Sequence, residues 1–272
     1  MDYSEYLQTR NYKRKTLESY LYYRDVFLKW LERENLTLET CHYTDLLSYT
    51  KALKPNRSQS NLNGHIRGVK YYYEYLQKEG AINHNPAQKL QIRGRGLQLP
   101  ADLLAPEELD KLYQEHPAET LPQKRNKVLL GLIVYQGLQE RELTTLEAQD
   151  INLERGTIKV KPSGKSNGRT LKLEAVQILL LQQFISEILP EMKNQNIKSF
   201  TGQLTYYLKK RYPKFKNLLH LRTCLISHWA AKKNLREVQY MAGHKNLVST
   251  EVYKQVNLQD LKKALDQFHP LK

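Results

Sequence analysis

Two stretches near the end of the chain decide its fold: L-H-L-R-T-C-L-I-S-H at residues 219–228 and G-H-K-N-L-V-S-T-E-V-Y at residues 243–253. Arg222 stands in the first stretch, and Tyr253 follows His244 by nine residues in the second. The chain has 19 tyrosines, so a tyrosine by itself carries little information. The informative feature is the order and spacing of arginine, Gly-His and tyrosine.

Composition limits the class of protein around these stretches. The chain has 272 residues, of which 40% are hydrophobic, so it is long enough to form two domains with cores of their own. It carries 43 Lys and Arg against 28 Asp and Glu, a formal net charge of +15. The basic residues are spread along the whole length, which favours a nucleic acid partner over a solvated basic surface without a function.

Cysteine content and hydropathy predict a soluble cytoplasmic protein. Only Cys41 and Cys224 are present, and neither belongs to a C-x-x-C pair or to a cluster with metal-ligand spacing. The first residues lack the pattern of a signal peptide. The longest apolar run, residues 128–135, is far shorter than the roughly 20 residues that cross a bilayer. We therefore expect no disulfide, no metal site and no membrane segment.

The first part of the chain is predicted to be entirely helical. Apolar residues at helical spacing predict helices from Thr16 to about Arg33, over residues 43–53 and over residues 58–78, with one more short helical segment after Gly80. The sequence I-R-G-R-G-L-Q-L-P at residues 92–100 has no periodicity and predicts a linker. The predicted domains are therefore residues 1–91 and 101–272.

The second domain is predicted to be mainly helical with a small antiparallel sheet. Alternating, β-rich segments separated by turn residues predict three strands, at residues 150–153, 157–161 and 169–173. Helical patterns precede and follow them, at residues 106–116, 123–135, 137–146, 176–189, 201–211, 222–232 and 235–242. The predicted fold class is thus mainly α with a small antiparallel β-sheet.

The spacing of Arg222, the Gly-His pair and Tyr253 resembles the second catalytic box of the tyrosine recombinases, the phage-integrase and Xer family. The helical first domain, the N-P-A at residues 85–87 and the basic linker resemble the same family, so the resemblance covers nearly the whole chain. It implies a two-domain DNA clamp, with a SAM-like core-binding domain and a catalytic domain. It also implies a site-specific recombinase that acts on double-stranded DNA and needs no metal or other cofactor.

The chemistry of DNA strand transfer gives the motif residues their expected roles. Tyr253 would attack the scissile phosphate and form a 3′-phosphotyrosine, which conserves the bond energy. Arg222 would donate to the non-bridging oxygens as they gain charge, and His244 would hydrogen-bond the same phosphate. His228 is expected to pack inside the helix bundle.

The general acid for the leaving 5′ oxygen is expected on the turn of the second hairpin. The family places its general-acid lysine there, and Lys165 stands at the tip of S-G-K-S-N-G-R. The turn is longer than the usual G-K-G form, so Lys161 remains a rival.

Two positions depart from the family pattern. The first catalytic arginine should follow the Gly-Leu at residues 137–138, where Gln139 stands instead. Arg141 lies two residues on, about 200° round a helix, and can replace it only if the helix starts late or its long side chain bends back. The histidine expected three residues before Arg222 is replaced by Leu219, and the neighbouring His220 can serve if the register shifts by one. Otherwise water or His244 must take the proton from the tyrosine.

The segment after Tyr253 predicts an amphipathic helix, because four apolar residues recur at spacings of three and four: Leu258, Leu261, Leu265 and Phe268. The family docks this helix on a neighbouring protomer of a homo-tetramer; folding back on its own domain is the alternative. Two other functions stay open, a catalytically impaired recombinase-fold protein that binds DNA and a topoisomerase-like relaxer. The biological task, whether integration and excision of a mobile element, inversion or dimer resolution, is also open.

Overall fold

The computed structural model describes residues 2–91, 100, 102–164, 166–192 and 197–254. The chain forms two compact units, Met1–Gly96 and Leu97–Lys272. The predicted fold class, mainly helical with a small antiparallel sheet, is confirmed. Residues 92–99 of the predicted linker, Lys165 and the predicted helix after Tyr253 lie outside the described residues.

Four helices build the first unit, listed in chain order: α1 Tyr3–Gln8, α2 Arg14–Arg33, α3 Tyr43–Leu53 and α4 Gln59–Lys78. Helices α2 and α4 pack together along their length. Three large aromatic side chains, Phe27, Tyr49 and Tyr73, are fully buried in the core that α2, α3 and α4 share. The three long helices occur where they were predicted, and α2 begins slightly earlier than expected.

Two local features of the first unit differ from the prediction. The short helix α1 was not predicted, and the Asp2 side chain caps it by accepting from the Glu5 amide. The short helical segment predicted after Gly80 is wrong, because residues 81–91 contain a turn at 86–89 and no helix. The Asn85 side chain accepts a hydrogen bond from the Ala87 amide at 2.9 Å, and this local bond competes with helix formation.

The second unit is also mostly helical. Its helices, in chain order, are α5 Pro106–Gln114, α6 Leu121–Val134, α7 Glu140–Leu143, α8 Ala175–Gln183, α9 Leu189–Met192, α10 Ile197–Arg211, α11 Leu218–Lys232 and α12 Leu235–Ala242. A π-helical turn, Phe184–Ile188, joins α8 to α9, and residues 248–254 form a last described helical segment. Helix α6 is the centre of the unit, since it contacts α5, α8, α10 and α11.

The three predicted strands form one antiparallel sheet in the order β1-β2-β3: β1 Ile151–Asn152, β2 Thr157–Val160 and β3 Arg169–Lys172. Ile158 pairs with Ile151 on one side and with Leu171 on the other, and all three side chains are buried. Alternation along β3 also turns Arg169 inward, beside the core. The hairpin of β2 and β3 reaches the Gly-His turn, because the Asn167 amide donates to the Gly243 carbonyl at 2.9 Å.

Within the part of the chain that the structure describes, no helix is long and apolar enough to cross a membrane.

Candidate active site

Arg222 is the buried centre of the candidate site. It lies in α11, which begins at Leu218 because the Asn217 side chain caps it. Its Nη2 donates to the carbonyl of Ala242 at 2.5 Å, whereas its Nη1 has no hydrogen-bond acceptor among the described residues. Burial lowers the pKa of Arg222 to about 10, so the guanidinium stays charged at neutral pH. The site therefore presents a buried cation with one nitrogen that has no hydrogen-bond acceptor in the described part of the chain.

The turn after α12 brings His244 beside this arginine. Gly243 adopts the left-handed conformation, with φ of 69°, and ends the helix. His244 then pairs through Nδ1 with the hydroxyl of the fully buried Thr250, at 2.9 Å. Burial, and then the charges of Arg222 and Arg169, lower the pKa of His244 to about 4. The imidazole is thus neutral at physiological pH.

Tyr253 lies against His244 within the same unit. Only 8% of the tyrosine is exposed, and its ring is buried against Ile226, Val238 and other apolar side chains. The rings of His244 and Tyr253 stack with their centres 6.0 Å apart and their planes 24° apart. Burial raises the pKa of Tyr253, and the charge of Arg222 opposes this rise. The tyrosine is therefore protonated at neutral pH and electrostatically coupled to Arg222.

A cavity of about 290 Å³ opens beside Arg222 and is lined by residues 138–141, 218, 219 and 222. Helix α7 begins only at Glu140, because the Glu142 carboxylate caps it by accepting from the Gln139 amide at 2.9 Å. The helix thus starts later than predicted, which meets one of the two conditions under which Arg141 can replace an arginine at position 139. The Nε of Arg141 is buried and has no hydrogen-bond partner within the described part of the chain. The structure brings Arg141 and Arg222 to the same cavity.

His220 lies outside this group. Its Nε2 donates to the carbonyl of Asp102 at 3.1 Å and lies 3.6 Å from the sulfur of Cys224. Leu219 lines the cavity instead and is 68% exposed. The register shift that would bring His220 to the phosphate does not occur, because a change of one residue turns a side chain by about 100° on a helix. The structure therefore does not support the predicted catalytic role for His220.

The two candidate lysines differ in what the structure shows. Lys161 is ion-paired with Glu147 at 2.8 Å and with Asp150 at 3.3 Å. Lys165 lies outside the described residues, but its neighbour Ser166 is buried and forms a β-bridge with His244. The base of this hairpin turn therefore lies at the Gly-His turn.

A buried ion pair beneath the site was not predicted. The carboxylate of Glu142 accepts from Arg169 Nη1 at 2.8 Å and from Nη2 at 2.9 Å, and both side chains are almost completely buried. Burial alone would raise the pKa of Glu142, but the bonds from Arg169 hold it below its usual value. The available signal was a charged residue, Arg169, at an inward position of a predicted strand.

Comparison with known proteins agrees with this arrangement. Residues 102–260 match the sequence profile of the phage integrase family. The chain belongs to this family. Residues 1–80 match the profile of the phage integrase N-terminal SAM-like domain. The predicted resemblance and the predicted enzyme class, DNA strand breakage and rejoining by a tyrosine recombinase, are confirmed.

Curated relatives match over nearly their whole length. Tyrosine recombinase XerC of Oceanobacillus iheyensis is 26% identical, and the alignment covers 98% of this chain and 94% of that protein. Tyrosine recombinase XerD of the same organism is 25% identical, with 94% and 92% covered.

Two solved structures share the fold. The XerH site-specific recombinase bound to its difH substrate matches with a TM-score of 0.68 and 21% identity, over 94% of this chain and 80% of that one. The Tn1549 transposon integrase in complex with circular intermediate DNA gives a TM-score of 0.67 and 17% identity, over 95% and 98%.

Proposed function

We propose that this recombinase cleaves double-stranded DNA with Tyr253. The phenolic oxygen attacks the scissile phosphorus, the bond to the 5′ oxygen breaks, and a 3′-phosphotyrosine forms. The reverse reaction, with a 5′ hydroxyl of another strand, releases the tyrosine and joins the new strands. The phosphoester energy is kept in the covalent intermediate, so rejoining needs no other energy source.

One observation carries the assignment of the phosphate site. Arg141 and Arg222 line one cavity, and each has a buried guanidinium nitrogen without a hydrogen-bond partner among the described residues. A buried guanidinium nitrogen without an acceptor is costly, so an anion that supplies acceptors to both arginines best explains the arrangement. A phosphodiester supplies the acceptor oxygens that both guanidinium groups lack. Negative charge on these oxygens grows in the transition state, where the two arginines stabilise it.

Proton transfer has two parts. We assign the proton donor for the 5′ oxygen to Lys165, because the turn that carries it starts from a bridge between Ser166 and His244. Proton removal from Tyr253 has no imidazole in the position of Leu219 to help it. With a pKa of about 4, His244 is a weak base, so it serves as a hydrogen-bond donor to the phosphate and water takes the tyrosine proton.

We further assign the core-binding role to residues 1–91 and catalysis to residues 101–272, with residues 92–100 as the linker. A net charge of +15 suits binding along a DNA duplex in the cytoplasm. The apolar spacing of Leu258, Leu261, Leu265 and Phe268 suits docking of the C-terminal segment on a neighbouring protomer of a homo-tetramer. The proposed task is integration and excision of a mobile element, inversion of a DNA segment, or resolution of chromosome dimers.

The test uses a duplex nicked next to the scissile phosphate, so that cleavage traps the covalent complex. The cognate site is sought in the DNA that flanks the gene. We expect a covalent band on a denaturing gel with the natural protein and none with Tyr253→Phe. Tyr212→Phe is the matched control, since Tyr212 pairs with Glu115 at 3.1 Å and takes no part in the site. Tight DNA binding without a covalent band would instead indicate the DNA-binding function.

A further inference from the structure

The ion pair between Glu142 and Arg169 uses both oxygens of the carboxylate. The two side chains form a fork-to-fork pair with distances of 2.8 and 2.9 Å and are 1% and 0% exposed. Such a bidentate pair fixes the plane of the carboxylate as well as its position. Glu142 Oε2 also accepts from the Gln139 amide, which leaves it little freedom to turn.

Arg222 lies at ion-pair distance from this carboxylate but forms no hydrogen bond with it. Its Nη1 is 4.0 Å from Glu142 Oε2, beyond hydrogen-bond distance, and it has no acceptor in the described part of the chain. A buried carboxylate so close to a buried guanidinium would normally form a direct pair with it. The bonds from Arg169 therefore compete with Arg222 for the same carboxylate.

This competition matters because it sets the net charge that the site offers to an anion. Arg169 and Arg222 bring two positive charges and Glu142 one negative charge, so the three buried groups keep a net positive charge for an anion. If Arg169 were absent, Glu142 would be free to bind Arg222. That pairing would neutralise the guanidinium and occupy the donor that faces no other partner among the described residues.

We propose that Arg169 is a positioning residue for catalysis: by holding both oxygens of Glu142, it keeps Nη1 of Arg222 available for the scissile phosphate. This inference rests on the proposed role of Arg222 in DNA cleavage. Arg169 itself does not touch the substrate. It acts through Glu142, and it also packs against the turn that carries His244, where a side chain at Gly243 would meet its Nη1 at 2.5 Å.

The test is a rescue experiment on covalent-complex formation with the nicked duplex. In Arg169→Met, the freed carboxylate captures Arg222, and we expect the rate to fall about 100-fold, the usual cost of losing one transition-state donor. Adding Glu142→Gln removes the competing charge, and we expect the double variant to form the complex at least about tenfold faster than Arg169→Met. DNA binding, measured by gel shift, should change less than about threefold in both.

A purely structural role predicts no rescue. A double variant no faster than Arg169→Met, or an Arg169→Met protein with the natural rate, overturns the proposal. If Arg169→Met does not fold, Arg169→Lys replaces it. An ammonium cannot make the two parallel bonds of the fork, so the rate should still fall, and a natural rate in Arg169→Lys again overturns the proposal. If the natural protein itself forms no covalent complex, the proposed function fails. This result differs from every outcome that overturns the role of Arg169, because those outcomes all require an active natural protein.

Discussion

Arg141 and Arg222 line one cavity of about 290 Å³, although 81 positions separate them in the sequence. Each has a buried guanidinium nitrogen that lacks an acceptor among the described residues. Gln139 takes the cap position and α7 starts at Glu140, three residues later than predicted, which places Arg141 in its first turn. In the proposed mechanism, Arg141 is thus the second phosphate-binding arginine, despite the glutamine at position 139.

This relationship predicts that the first catalytic arginine is residue 141. Arg141→Gln should lower the rate of covalent-complex formation roughly 100-fold, because one transition-state donor is lost. Gln139→Ala should leave the rate within about threefold, since the Glu142 carboxylate binds the backbone amide of residue 139 rather than its side chain. Single-turnover kinetics on the nicked duplex measures both. The reverse order of the two effects would show that position 139 carries the function.

Replacing Leu219 with histidine should increase the rate of DNA cleavage. Leu219 is exposed and lines the cavity beside Arg222, at the position where the family resemblance implies a histidine base. Leu219→His should speed covalent-complex formation about tenfold or more and add a pH dependence centred near 6.5, the ordinary imidazole value. Leu219→Phe is the control for ring size and should give neither change.

Replacing His220 should affect stability and not the pH dependence of cleavage, because its imidazole hydrogen-bonds the carbonyl of Asp102. His220→Ala should lower the free energy of unfolding by about 1 to 3 kcal/mol and leave the pH dependence of cleavage unchanged. Chemical denaturation and pH-rate profiles measure the two effects. A cleavage profile that loses a titration in His220→Ala would contradict its placement outside the site.

The turn at Gly243 has no room for a side chain. A Cβ there would lie 2.5 Å from Arg169 Nη1, at a φ of 69° that side chains rarely adopt. Gly243→Ala should therefore cost more than roughly 2 kcal/mol in unfolding free energy. Gly156→Ala is a matched control, because Gly156 has a φ of 57° and nothing within 4 Å of its added Cβ in the described structure. This control should cost only about 1 kcal/mol, and equal costs would exclude the contact with Arg169.

The stability of the first unit should depend on pH because of the buried His65. It is fully buried and pairs with the Tyr49 hydroxyl at 3.1 Å. Burial, and then the charge of Arg57, lower its pKa to about 4, below the value of about 6.5 in the unfolded chain. The unfolded state therefore binds a proton first as the pH falls. Stability should be complete above about pH 6.5 and decrease towards pH 4, by up to about 1.4 kcal/mol per pH unit.

Unfolding of the first unit, followed in denaturant at several pH values, measures this slope. His65→Gln should make the dependence shallower between about pH 6.5 and 4. An unchanged slope in the variant would show that another group titrates.

Local sequence patterns predicted the elements of the fold because those elements depend on local periodicity. The three strands follow from alternation, which turns Ile158 and Leu171 inward, and α12 was predicted with its observed ends. Helix α1 was missed because six residues carry too little periodicity to predict a helix. The turns after Gly80 were missed because one side-chain bond, from the Ala87 amide to Asn85, replaces the helical pattern.

Pairings between residues distant in the chain could not be predicted from local sequence patterns. Glu142 and Arg169 stand 27 positions apart, and their side chains meet only in the folded chain. The direction of His220 depends on a carbonyl 118 positions away, at Asp102. Spacing can place a residue on a helix, but the face that turns towards the site is decided by such long-range contacts.

The most direct measurement is the position of the DNA adduct in the protein. The trapped complex is digested with trypsin and nuclease, and mass spectrometry locates the nucleotide-modified peptide. Cleavage after Lys245 and Lys254 gives the peptide of residues 246–254, in which Tyr253 is the sole tyrosine. If Tyr253 is the nucleophile, the phosphotyrosine adduct lies on this peptide. An adduct on a peptide that holds another of the 19 tyrosines would contradict the assignment of Tyr253 as the nucleophile.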